Sequence, residues 1–178
     1  MSAPGSLWTT SAALAVLTLS IPLSAQEPNA ADVTSQDAII EALYDVISGP
    51  AGEARDWDRF RSLFIPEGAR LIPVGRQGDG TTRPALVSVD EYVERAGPNL
   101  EATGFFEAEV HAEVEEYGAI AHRFSTYESR RTADDAEPFD AGINSIQLVF
   151  DGDRWWIVSI MWTSERSGVS IPDRYRGG

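Results

Sequence analysis

The amino-acid sequence predicts an α+β fold, with N-terminal helices packed on a strongly curved antiparallel sheet. Residues 35–48 place apolar side chains at helical spacing, which predicts an amphipathic helix. Residues 105–128 alternate apolar and polar side chains, and residues 141–163 hold two runs of β-branched and aromatic residues, so both segments predict β-hairpins. With 178 residues, 43% of them hydrophobic, the chain can bury the core of one domain.

Three helices are predicted before the main strands. Ser35 can cap the first, over 35–48, whose buried stripe consists of Ile39, Ala42, Leu43, Val46 and Ile47. Asp56 can cap the second, over 57–64, which turns Trp57, Phe60 and Phe64 inward. The third is a short helix over 90–97.

Two further strands are predicted, at 69–75 and 84–88, on either side of a Gly-rich loop. That loop lacks the Gly-Lys-Ser/Thr ending of a phosphate-binding loop.

The hairpin over 105–128 is predicted to turn through a three-residue loop, Glu116-Tyr117-Gly118. This register places His122 and Phe124 on the apolar, concave face, beside Ala112 and Val110. A two-residue turn would instead reverse both faces of the second strand. The opposite face of the first strand is a solvated stripe in this interpretation, and we expect no metal ion there. The stripe consists of Glu107, Glu109, His111, Glu113 and Glu115.

The hairpin over 141–163 turns at Asp151-Gly152-Asp153, where Gly supplies the positive φ of a tight turn. The pairing places Asn144, Ile146, Trp155 and Met161 on one face, and Ser145, Ile160 and Trp162 on the other. Neither face of the second strand is polar, whereas a half-solvated strand alternates apolar with polar residues. We therefore expect the outer face of the sheet to be covered, and a second subunit is the simplest cover, which predicts a homodimer.

Composition excludes several functions. The formal net charge is −14, so phosphate backbones repel the chain and nucleic-acid binding is not expected. Cysteine is absent, which excludes disulfides, thiol catalysis and cysteine-ligated zinc. Only two His residues are present, which excludes a multi-histidine site in one chain. We predict neither a metal nor another cofactor.

The N-terminus is predicted to be a targeting segment. Residues 12–23 are an apolar run, and Ser24-Ala25 offers small residues for cleavage before Gln26. Residues 1–11 hold no Lys or Arg, which a signal peptide normally has, so an uncleaved membrane anchor is the alternative. The predicted boundaries are 1–25 for the signal peptide, 26–34 for a linker, 35–165 for the folded domain and 166–178 for a tail. The mature protein is then exported, periplasmic or secreted, and free of the membrane.

Three local patterns resemble the nuclear-transport-factor-2-like superfamily, which includes SnoaL-like polyketide cyclases, ketosteroid isomerase and scytalone dehydratase. They are Ala42-Leu43-Tyr44 in the first helix, the segment 56–64 with its Trp and two Phe, and the closing strand 152–158. The resemblance covers about residues 35–165 and implies a cone-shaped fold. The chain looks most similar to small exported members without an assigned activity. Several SnoaL-like members carry His residues on the last strand, where this chain has Ser159 to Trp162, so no catalytic residue is carried over.

His122 is the predicted catalytic candidate. If it lies on the concave face, burial lowers its pKa and keeps the ring neutral, ready to act as a base. The alternative is a core histidine bonded to a carbonyl or a Tyr. The side chains predicted to contact a ligand are Tyr44, Trp57, Phe60, Phe124, Asn144 and Met161, and the plain alternative for the aromatic ones is simple core packing.

The sequence therefore leaves three functions open. The first is a domain that binds a small apolar molecule in a conical pocket without a reaction. The second is an acid–base enzyme, an isomerase, dehydratase, cyclase or hydrolase, with His122 as base and Tyr44 or Asn144 polarising the substrate. The third is an interaction module that works as a homodimer through its sheet.

Overall fold

The structure, a computed structural model, describes residues 29–177. The predicted signal peptide, 1–25, and the start of the predicted linker lie outside the described residues. Three helices and six strands follow one another along the chain: α1 Gln36–Ile47, α2 Trp57–Ser62, β1 Arg70–Arg76, β2 Thr82–Pro84, α3 Val89–Thr103, β3 Phe106–Tyr117, β4 Ile120–Arg130, β5 Asp140–Phe150 and β6 Trp155–Ser164.

The first two helices begin where the sequence predicts. The Ser35 hydroxyl accepts the N–H of Ala38 at 3.1 Å and caps α1. The Asp56 carboxylate accepts the N–H of Arg59 at 2.8 Å and caps α2. The apolar stripe of α1 and Phe60 of α2 are buried, so these two helices supply one side of the core.

Helix α3 is longer than the predicted 90–97, because it continues through Pro98 to Thr103. The proline removes one backbone N–H that would bond the carbonyl of Glu94, but both residues are exposed, so water can satisfy that carbonyl. A reciprocal capping box between Ser88 and Glu91 fixes the start of the helix. Gly97 lets α2 approach α3, since a Cβ there would lie 3.2 Å from the ring of Trp57.

The six strands form one sheet in the order β2-β1-β6-β5-β4-β3. All pairs are antiparallel except β1 with β6, which run parallel. Helix α1 packs against β3 and β6, and α3 against β1. We call the face toward the helices the inner face and the opposite one the outer face. The predicted α+β architecture of helices on a largely antiparallel sheet is confirmed.

The predicted turn between β3 and β4 is wrong by one residue. Tyr117 pairs with Ile120, so the loop is the two residues Gly118 and Ala119. Gly118 has a φ of +60°, which suits the first position of a type II′ turn, where only that residue needs a positive φ. The shorter loop reverses both faces of β4, because side chains alternate along a strand. His122 and Phe124 therefore lie on the outer face.

Two register shifts change the faces of β3 and β6. In β3 the pairing shifts between Glu109 and His111, and Glu107 and Glu109 lie on the inner face instead of in a solvated stripe. On β6, Ser159 pairs with Gln147 and Ile157 with Leu148, which leaves Val158 as an extra residue. Ile160 and Trp162 therefore face inward, and Met161 faces outward, against the predicted alternation.

The predicted linker 26–34 is partly folded. Ala30–Val33 forms a short 3-10 helix, and Val33 is buried in the core. The Asp32 carboxylate pairs with Arg59 of α2 at 2.7 Å. Within residues 29–177, no helix is long and apolar enough to cross a membrane.

Candidate functional site

A cavity of about 190 Å³ lies between the helices and the inner face of the sheet. Apolar side chains from the helices and from β1 and β6 form one side of it: Leu43, Ile47, Phe60, Leu71, Ile160 and Trp162. Polar side chains from β3, β4 and β5 form the other: Glu107, Tyr127, Ser129, Asp140 and Asn144. Such a cavity suits a small, mostly apolar molecule with one or two polar groups.

The register of three neighbouring strands explains why the polar residues meet. Glu107 pairs with Ser129, and Ser129 pairs with Asp140, so two carboxylates flank one hydroxyl in a row across the sheet. Tyr127 lies two residues before Ser129 on the same strand and therefore points to the same face. Its partner on β5 is Gly142, where a Cβ would lie 2.6 Å from the Tyr127 ring carbon Cζ. The glycine thus makes the space that the tyrosine occupies.

Glu107 is the most perturbed carboxyl of this cavity. Burial raises its pKa to about 7, and the nearby Asp140 adds to the rise, while hydrogen bonds from Ser129 and Asn144 oppose it. The Ser129 hydroxyl donates to Glu107 Oε2 at 2.7 Å. Among residues 29–177, no Arg or His forms an ion pair with Glu107. The side chain keeps partial exposure through the cavity. Glu107 therefore exists in both protonation states near neutral pH and can accept or donate a proton.

Tyr44 belongs to a hydrogen-bond network at the cavity wall. Asn144 Nδ2 donates to the Tyr44 hydroxyl at 2.9 Å, and a second hydrogen bond joins that hydroxyl to Ser125 Oγ, 2.7 Å away. Burial raises the pKa of Tyr44 well above its ordinary value, so the phenol stays protonated. This network holds α1 against β4 and β5 and fixes the shape of the cavity.

Tyr92 and Tyr127 are different, because their hydroxyls have no hydrogen-bond partner among residues 29–177. Both residues line the cavity. Burial and the neighbouring Glu107 raise the pKa of each phenol, so both remain protonated. Neither phenolic oxygen is fully buried, so each is open to the cavity that the two side chains line. Two unpaired phenols beside one titrating carboxyl are therefore available to donate hydrogen bonds to a bound molecule.

Glu109, two residues along β3, has a different environment. Arg123 Nε donates to its Oε2 at 2.8 Å, and a second nitrogen of the same guanidinium contacts the other carboxylate oxygen. Arg123 also reaches Asp37 at the start of α1, at 2.7 Å. This carboxylate is neutralised by its partner and ties the sheet to the helix.

The structure places three of the predicted site residues on the cavity and four elsewhere. Tyr44, Phe60 and Asn144 line it. Trp57 packs beside Phe60 and donates its Nε1 to Glu101 at 2.9 Å, outside the lining. The predicted inward positions of His122, Phe124 and Met161 are wrong, and all three lie on the outer face. His122 contacts Ser145 Oγ there, at 3.0 Å.

Sequence reasoning missed Tyr92, Glu107, Tyr127 and Asp140. The alternation along the first strand of its hairpin predicts a solvated position for Glu107. The signal that could have found Tyr127 and Ser129 was the alternative two-residue turn, which brings both inward. Within the described residues, no cluster of three or more His, Asp or Glu side chains could hold a metal ion.

No family model and no curated protein matches this chain. The solved structures it resembles include a cystatin-like-fold protein of unknown function from Nostoc punctiforme, with a TM-score of 0.53, 12% identity, and coverage of 71% of this chain and 86% of that one. They also include an NTF2-like protein of unknown function from Silicibacter pomeroyi, with a TM-score of 0.47, 19% identity, and coverage of 72% and 91%.

The likeness to the first of these structures establishes the fold alone. The chain shares the fold of this cystatin-like-fold protein, and its α+β class is the one that the sequence predicts. Because this fold supports many unrelated functions, the activity has to be argued from the cavity itself.

Proposed function

We propose that the cavity binds a small, mostly apolar molecule with a carbonyl or hydroxyl group, and that Glu107 transfers a proton to or from it. The observation that carries this proposal is the environment of Glu107. Its carboxyl has no cationic partner among the described residues, opens onto a cavity, and has a pKa raised to about 7. A general base works best when its pKa is close to the working pH.

The neighbouring groups fit one reaction class. The phenols of Tyr92 and Tyr127 donate hydrogen bonds to the substrate oxygen and stabilise the negative charge that develops on it. The Glu107 carboxylate removes a proton from the carbon next to that carbonyl. Returning the proton at another carbon gives an isomerase, and delivering it to a leaving hydroxyl gives a dehydratase. The apolar wall packs against the hydrocarbon part of the substrate.

Hydrogen–deuterium exchange tests the proton-transfer step without knowledge of the natural substrate. Small cyclic ketones and enones are incubated with the protein in D₂O, and loss of the proton signal next to the carbonyl is followed by ¹H NMR. We expect catalysed exchange for at least one ketone, with a rate that increases as pH rises through about 7 because the carboxylate is the active form.

Two matched variants test whether the hydrogen–deuterium exchange takes place in the cavity. Glu107→Gln is expected to abolish it, whereas Glu113→Gln, a change on the exposed side of the same strand, leaves it unchanged. Saturable binding of ketones without exchange would favour a binding protein that performs no reaction. Exchange that survives in Glu107→Gln would contradict the role assigned to Glu107.

Export is a separate proposal that rests on residues 1–25. N-terminal sequencing of the protein purified from its own host is expected to give Gln26 as the first residue. A chain that still carries residues 1–25 would contradict cleavage.

A further inference from the structure

A groove of about 600 Å³ lies on the outer face of the sheet, on the side away from the cavity. Its floor consists of Phe124, Ile143 and Met161, from three adjacent strands. Residues of the β1–β2 hairpin form one wall, and the segment that follows β6 forms the other: Val74, Arg76 and Gly80 on the first, and Val169, Ile171 and Pro172 on the second.

The wall after β6 is held in place by specific contacts. The Glu165 carboxylate accepts the N–H of Ile171 at 2.9 Å and pairs with Arg176 at 2.5 Å. Further along, the Thr126 hydroxyl donates to the carbonyl of Tyr175 at 2.6 Å, and the Tyr175 ring packs on Phe124 at 5.1 Å. The tail is therefore fastened to the sheet on both sides of the groove segment, and the groove has a formed shape.

Arg76 supplies a positive charge at this groove. Its guanidinium lies between two glycine turns, since a Cβ at Gly80 or Gly168 would lie 3.9 or 3.7 Å from its terminal nitrogens. Among residues 29–177, Arg76 has neither an ion pair nor a hydrogen bond. Glu165 also lines the groove, but its negative charge, unlike the positive charge of Arg76, is offset by an ion pair, with Arg176. Arg76 is exposed and lines the groove, so its guanidinium is accessible to a ligand there.

We propose that this groove binds a free amphipathic monocarboxylate, with its apolar body on Phe124, Ile143 and Met161 and its carboxylate on Arg76. The apolar floor provides the hydrophobic contribution, and a guanidinium binds a carboxylate through two parallel hydrogen bonds. A single negative charge fits best, because the net charge of −14 repels polyanions. This site is independent of the proposed function, since Glu107 lies on the opposite face of the sheet.

The methionines provide a direct probe. The chain has two, Met1 and Met161, so ¹³C-methyl methionine labelling gives one signal from the groove floor. Met161→Leu assigns that signal. The labelled protein is titrated with decanoate below its micelle concentration, and separately with decanol, which has the same chain without the charge. We expect a saturable shift of the Met161 signal with decanoate and weaker binding of decanol.

The matched variants are Arg76→Gln and Arg83→Gln, which remove the same charge from neighbouring strands of one hairpin. Arg76→Gln is expected to weaken decanoate binding about tenfold, the contribution of one charge-assisted pair, and to leave decanol unaffected. Arg83→Gln and Glu107→Gln are expected to leave both ligands unaffected.

Three results would overturn the assignment. A Met161 signal that does not move with decanoate removes the site. Equal weakening by Arg76→Gln and Arg83→Gln shows only a general effect of charge. A ligand-free Met161 shift that grows with protein concentration, together with a doubled mass by light scattering, shows that a second copy of the chain occupies the groove.

Discussion

Glu107 and Glu109 lie two residues apart on β3, face the same side of the sheet, and have opposite surroundings. Glu109 binds Arg123, which continues to Asp37 of α1, so its negative charge is offset where it lies. Glu107 faces Ser129, Asp140 and the cavity, where the described residues offer it no cation. One strand thus carries a carboxylate that holds the fold together and another that is left to titrate.

The contrast shows what separates a structural acid from a chemically useful one. Burying a charge costs free energy unless a partner offsets the cost. The fold offsets it for Glu109 and leaves it uncompensated for Glu107, whose pKa rises to about 7 as a result. The cavity therefore holds a group that destabilises the folded protein and can transfer protons at neutral pH.

The largest expected effect comes from removing the partner of Glu109. Arg123→Gln leaves the Glu109 carboxylate without its cation, and both side chains are largely buried, at 10% and 18% exposure. We expect a loss of about 4 kcal/mol in the free energy of unfolding, measured by urea denaturation. Arg95→Gln, which breaks an exposed pair with Glu91, is the control and is expected to cost less than about 0.5 kcal/mol. Equal effects would mean that burial does not distinguish the two pairs.

Glu107→Gln is expected to raise the free energy of unfolding, in contrast to Arg123→Gln, and the size of the increase is expected to depend on pH. The pKa of Glu107 is about 7 in the folded protein, above the ordinary glutamate value of 4.5. The folded state therefore holds its proton more tightly, and stability falls as pH rises from about 4.5 to 7. The substitution removes this dependence. The free energy of unfolding of Glu107→Gln, relative to that of the parent protein, is therefore expected to be up to about 3 kcal/mol higher at pH 8 than at pH 4.

Glu109→Gln is the matched variant for that experiment. It breaks the pair with Arg123 and is expected to destabilise the protein at pH 8, where Glu107→Gln stabilises it. Thermal unfolding of both variants across the same pH range measures the two effects together. Destabilisation of similar size by both substitutions at pH 8 would show that Glu107 is also a structural carboxylate.

The sequence predicts the fold well and the site poorly. The fold follows from patterns of neighbouring residues, whereas the site depends on which face of the sheet each side chain occupies. Helix caps at Ser35 and Asp56, and the apolar pattern of the hairpins, depend on a few neighbouring residues, so they can be recognised in the sequence. The faces of β4 depend on whether its loop has two residues or three, and one residue moved His122 from the predicted cavity to the outer face. The extra residues in β3 and β6 then brought Glu107 and Trp162 inward, and no sequence pattern marks a bulge.

The smallest expected changes in stability come from removing the hydroxyl groups of Tyr44 and Tyr127, and they differ between the two residues. Tyr44→Phe removes hydrogen bonds to Ser125 and Asn144 and is expected to cost about 1 kcal/mol of stability. Tyr127→Phe removes a hydroxyl without a partner among the described residues, and is expected to change stability by less than about 0.5 kcal/mol. Tyr127→Phe is nevertheless expected to weaken the binding of a ketone that saturates the cavity, measured by NMR titration. Unchanged binding would remove Tyr127 from the site.

If Glu107 titrates near neutral pH, the chemical shift of its carboxyl carbon changes over the same pH range. The measurement is a ¹³C NMR titration of the Glu side-chain carboxyls from pH 3 to 9, with Glu107→Gln used to assign the signal. We expect a pKa of about 7 for Glu107. A value at or below 4.5, the ordinary value for a glutamate, would contradict this expectation and leave the cavity without a group suited to proton transfer.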